Sequence, residues 1–88
     1  MSREYLLITF DSSHTAFRAE QVLSEMNPVM LPTLREISAS CGISLRLPLH
    51  LQEDAENRLE QSGLTGWQMY HVLSQGKKPV CTLIDSVS

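Results

Sequence analysis

The chain has 88 residues, 42% hydrophobic and 19% charged, a size and balance that fit one small globular domain. Its seven basic residues are scattered apart from Lys77 and Lys78, and the formal net charge is -3. That combination argues against the clustered positive face by which proteins grip nucleic acid or an anionic membrane.

No apolar run approaches the ~20 residues that span a bilayer. The run near the start is shorter than a signal-peptide core of at least ~7 residues. The expected location is therefore cytoplasmic, with no membrane partner. In that compartment the two cysteines, Cys41 and Cys81, are kept as thiols. With no Cys-x-x-Cys and three histidines without ligand spacing, neither a metal nor a cofactor is expected.

Residues 5–10, YLLITF, are aromatic and β-branched and stop at Asp11-Ser12-Ser13, which reads as a central first strand apolar on both faces. Ser12 or Ser13 then caps a helix of about 13 residues, in which Ala16, Ala19, Leu23 and Met26 recur at helical spacing. Asn27-Pro28 ends it. Residues 29–33 form a second strand, and Pro32 confines that strand to an edge. Residues 43–47, ISLRL, alternate, with Ile43, Leu45 and Leu47 inward and Ser44 and Arg46 outward.

Pro48 opens a second helix, which places Leu51, Ala55 and Leu59 on one face, and Gly63 serves as its left-handed cap. Glu53, Asp54 and Glu56 suit the positive end of that helix. His14 is expected to face solvent at the first turn of the first helix. Residues 67–73 form a fourth strand, in which Trp67 and Tyr70 pack. After a turn at 75–79, residues 80–84 are a short fifth strand or a docking tail, with Cys81 packed as a small apolar side chain.

The order strand, helix, strand, strand, helix, strand predicts an α+β ferredoxin-like βαββαβ sandwich, an antiparallel sheet with two helices on one face. It places strands one and three in the centre and two and four at the edges. One domain covers 1–74, and 75–88 is a C-terminal tail or extra strand.

The chemistry concentrates in PTLREISASCG, residues 32–42. A thiolate is the reactive form of cysteine, and nearby positive charge and hydrogen-bond donors favour it. Arg35 is the cation closest in sequence to Cys41. The hydroxyls of Ser38 and Ser40 and the amides of Gly42 and Ile43 are candidate donors to the sulfur. Gly42 also allows backbone angles that a side chain forbids, which leaves the sulfur accessible. Buried filler is the competing reading of the same cysteine.

The stretch YLLITFDSSHTAFRAEQVL followed by PTLREISASCGISLRL resembles short bacterial domains of unknown function described as selenium/sulfur carrier-like proteins. The resemblance rests on Phe10, Ser13, Ala16, Glu20, Pro32, Arg35, Ile37, Ser38, Cys41 and Gly42, and it covers about residues 4–73. The Arg-x-x-Ser-x-x-Cys-Gly core is its most specific part. Two departures stand out: Leu34 replaces a proline common before the arginine, and the tail with Cys81 lies beyond the shared part.

What the resemblance implies is a carrier, at most a sulfurtransferase-like accessory protein. Cys41 would accept sulfur or selenium as a persulfide or perselenide. Arg35 would stabilise the terminal anion and Ser38 would orient it. The partners would be a protein donor and a protein acceptor, and a homodimer is left open. Two other readings are a non-catalytic interaction module using a sheet face or edge, and a redox sensor in which Cys41 and Cys81 pair transiently.

Overall fold

The structure, a computed structural model, describes residues 3–34, 37 and 41–88. Among these residues, five strands and two α-helices follow in the order β1 (Arg3–Phe10), α1 (Ser13–Val22), β2 (Val29–Pro32), β3 (Ile43–Leu47), α2 (Gln52–Ser62), β4 (Trp67–Gln75) and β5 (Lys78–Val87). All four pairings are antiparallel, and the strands lie side by side as β2-β3-β1-β4-β5.

β1 and β3 are interior, and β2 is an edge. β4 is not the edge that the sequence suggested. The run from Lys78 to Val87 pairs along the whole of β4, so β5 takes that place. The turn between them has two residues, Gly76 and Lys77, and the positive φ of Gly76 (75°) suits a tight hairpin. Both edge strands carry a proline, Pro32 and Pro79, as strands without an outer neighbour can.

Pleating sorts each strand into two faces. Leu6, Ile8, Phe10, Leu45, Leu47, Trp67 and Met69 are buried together with Ala16, Ala19 and Leu23 from α1 and its cap, and Ala55 and Leu59 from α2. Both helices therefore cover one face. Ser12 caps α1 by accepting from the Thr15 amide at 3.2 Å. Gly63, at φ 76°, closes α2 as expected.

The end of α1 departs from the sequence expectation. The α-helix has 10 residues, a short 3-10 turn from Ser24 to Met26 continues it, and Asn27 takes the left-handed conformation (φ 54°). Asparagine tolerates that conformation better than most side chains, so the stop before Pro28 is a left-handed cap rather than extended chain.

The opposite face is also covered in part. Leu7, Val72 and Ile37 are buried there, with Tyr5, Leu31, Leu34, Tyr70 and Cys81 against them. Leu34 and Ile37 belong to the connection between β2 and β3, which thus folds over the sheet. Ser44, expected outward, is fully buried for this reason. Among the described residues, no helix is long and apolar enough to cross a membrane.

Candidate functional site

The β2–β3 connection begins at Thr33, whose backbone continues the ladder by donating to the carbonyl of Gly42 at 2.9 Å. The Thr33 hydroxyl donates to the Cys41 carbonyl at 3.1 Å. Having given its one proton there, it accepts from Ser44 Oγ at 2.6 Å. Ser44 lies opposite Thr9 across the β1–β3 pair. Thr9 is fully buried and donates to Gln68 Oε1 at 3.0 Å. Gln68 in turn donates to Asp11 Oδ1 at 3.3 Å. A polar row thus runs across four strands beneath the end of the connection.

Cys41 closes that connection. Its amide donates to the carbonyl of Phe10, the last residue of β1, at 3.3 Å. Its side chain belongs to the helix-side cluster and is 7% exposed. The Ile43 amide points at the sulfur, with N to Sγ 3.4 Å, which is a donor of the kind the sequence offered. The thiol thus sits where β1 hands over to α1, between a packed apolar interior and one backbone N–H.

Gly42 does not hold an angle reserved for glycine, since its φ lies outside the positive range occupied by Gly63, Gly66 and Gly76. A Cβ placed there would meet nothing within 4 Å among the described residues. Its contribution is space: the chain beside the sulfur carries no side chain, and no described residue crowds it. Arg35 and Ser38, the other two sequence candidates, lie outside the described residues, as does Ser40. His14 is exposed, Trp67 is fully buried with its indole N–H on the Leu64 carbonyl at 2.8 Å, and Tyr70 is half-buried.

Cys81 lies with Leu7 and Val72 on the face away from Cys41. Its register is Cys81 opposite Val72, which stands opposite Tyr5, whereas Cys41 is tied to Phe10. Tyr5 and Phe10 alone are about 16 Å apart along β1, and a disulfide needs Cα atoms within about 7 Å. An internal Cys41–Cys81 bridge, the basis of the redox-sensor reading, therefore requires the sheet to come apart.

Thr33 and the Phe10 carbonyl were missed by sequence reasoning. Thr33 directly after an edge-strand proline, with a serine in alternation across from it, was the available signal. One acidic group also emerges: carboxylate oxygens of Glu56, Glu60 and Asp85 lie within 4.8 Å of one another, and no ion pair neutralises them among the described residues.

An α+β domain with five antiparallel strands, two helices on one face and a single thiol at the β1–α1 junction defines the class. Residues 5–71 match the family described as Putative Se/S carrier protein-like, and the chain belongs to it. The match ends within β4 and leaves β5 outside. No curated protein and no solved structure matches the chain.

Proposed function

We propose that this protein carries sulfur or selenium on Cys41, between a protein donor and a protein acceptor in the cytoplasm. In the loading step the Cys41 thiolate attacks the outer sulfur of a donor persulfide. A new S–S bond forms on Cys41, the donor's S–S bond breaks, and the donor leaves as a thiolate. Delivery is the same step in reverse roles: an acceptor nucleophile takes the outer atom and Cys41 is returned as the thiolate. Selenium follows the same course as a perselenide.

The observation that carries this reading, beside family membership, is the Ile43 amide aimed at the sulfur next to Gly42, which no described residue crowds. The amide supports negative charge on sulfur, and the missing side chain gives a partner's chain a path to a thiol that is otherwise packed. Arg35 and Ser38 are assigned the stabilising and orienting roles that the motif implies. We read the unit from β1 to β4 as a ferredoxin-like sandwich, on its strand order and shared helix face, with 75–88 as an added strand.

The test is mass spectrometry of the protein purified without reductant, after exposure to a persulfide donor. A mass gain of one sulfur or selenium atom localised to Cys41 is expected. Loading that persists in Cys41→Ser, or none in the wild type, overturns the proposal.

A further inference from the structure

We propose that Thr33 holds the chain so that the Gly42 amide receives the outer atom of a loaded Cys41. This rests on the carrier reading, and it adds a second backbone donor and the residue that aims it.

Thr33 grips two consecutive carbonyls. Its hydroxyl donates to the Cys41 carbonyl at 3.1 Å, and its amide donates to the Gly42 carbonyl at 2.9 Å. In a trans peptide unit the N–H points away from the C=O. Both units therefore turn their C=O toward Thr33 and their N–H away from it. One of those N–H groups belongs to Ile43 and reaches Cys41 Sγ at 3.4 Å. The other belongs to Gly42. It is directed to the same side of the chain, and it has no hydrogen-bond partner among the described residues.

Gly42 is exposed, although the cysteine beside it is 7% exposed. An S–S bond is about 2 Å long, so an added atom lies one bond beyond Sγ, beside the amide that adjoins the one on Sγ. Successive N–H groups on one side of a chain form a cradle for anions, and a charged acceptor strengthens each bond. The Gly42 amide thus acts on the loaded state and not on the empty thiol, which favours loading. Thr33 touches neither sulfur and is a positioning residue. Its hydroxyl is fixed in turn by Ser44 Oγ at 2.6 Å, on a fully buried side chain. Valine at position 33 releases the Cys41 carbonyl, whereas serine keeps the hold.

The wild-type chain is treated with a small-molecule persulfide, and mass spectrometry checks for one added sulfur. In that exchange the Cys41 thiolate bonds to the outer sulfur, the donor's S–S bond breaks, and the donor leaves as a thiolate. On loading, the Gly42 amide proton should move downfield in the NMR spectrum and exchange with solvent about tenfold more slowly. Iodoacetamide then joins carbon to the outer sulfur with loss of iodide. That removes the charge and should undo both changes.

The equilibrium constant for loading should fall about tenfold in Thr33→Val and return in Thr33→Ser, each measured on the folded chain. A merely structural Thr33 would lower stability without moving that constant. A loaded chain whose Gly42 amide is unchanged, or changes that survive alkylation, overturn this proposal and leave the carrier reading standing. So does a Thr33→Val chain that loads like the wild type, or a Thr33→Ser chain that loads no better than Thr33→Val. A wild-type chain that gains no sulfur overturns the carrier reading and this inference with it.

Discussion

The amide of Cys41 donates to the carbonyl of Phe10, so the motif cysteine is fastened to the last residue of the central strand β1. A sulfur carried on a long connection is thereby placed by a strand whose last five residues are all buried. Position comes from the rigid part, and access comes from the bare backbone of Gly42 beside it.

Replacing Cys41 by serine keeps a small side chain that can accept from Ile43, at the cost of placing a hydroxyl in an apolar cluster. A loss of about 1 kcal/mol is expected in urea unfolding. Chalcogen loading should disappear altogether, which separates the chemical role of the thiol from its packing role.

Thr33→Val removes the hydroxyl that joins the Cys41 carbonyl to Ser44. Ser44 is fully buried and is left without this partner, so stability should fall by about 1–3 kcal/mol. Amide exchange at Cys41 and Gly42 should quicken more than exchange in α2, since the change acts on one connection.

Two glycines should respond in opposite ways to alanine. At Gly42 the added methyl meets no described residue and brings no backbone strain, so stability should stay within about 0.5 kcal/mol. Transfer to a protein acceptor should slow, because the methyl occupies the approach to the sulfur. At Gly66 the φ is 80° and the new Cβ would lie 3.2 Å from Asp11 Oδ2, so a loss of more than about 1 kcal/mol is expected. Denaturant midpoints and single-turnover transfer rates distinguish the two.

The Tyr5 hydroxyl is held above the ordinary phenol range, chiefly by burial, then by the neighbouring Cys81, with Arg46 acting in the opposite sense. The Arg46 guanidinium carbon lies 5.7 Å from the centre of the Tyr5 ring. A group whose value is raised on folding contributes stability below its unfolded value, and that contribution is lost as pH rises through the folded one. Unfolding measured at neutral pH and at roughly pH 11 should show an alkaline loss. Tyr5→Phe should make that loss smaller.

Much of the architecture was legible in the sequence because the elements carry local signals. The capping Ser12, the left-handed Gly63, the proline of β2 and the alternation of residues 43–47 each act within a few residues. The extent of β5 was not legible, since Val80 to Ile84 alternates only weakly and its partner strand supplies the pairing. Ser44 was assigned to the wrong environment for a similar reason. Its face is buried by Leu34 and Ile37 folding back from the connection, a long-range event that no local pattern announces.

The site shows the same division. Cys41 and the Ile43 amide are neighbours in sequence and were read together, whereas the Phe10 carbonyl is distant in the chain and was not. Gly42 was identified for a conformational reason that its backbone does not bear out, and the space left around it by the described residues is visible only in three dimensions.

Gly66 joins three parts of the chain: its amide donates to the Val87 carbonyl at 2.7 Å, and its own carbonyl accepts from the Asp11 amide at 3.0 Å. Val87 pairs with Trp67, which pairs with Phe10, the residue that anchors Cys41. The last turns of β5 and the thiol therefore share one end of the sheet, while Arg3 and Ser74 mark the other. A fluorophore attached at Ser86 would sit about 10 Å, two strand spacings, from the Phe10 position and report loading of the cysteine without touching it. A bulky affinity tag at the same end would crowd the donor, so purification handles belong beside Arg3.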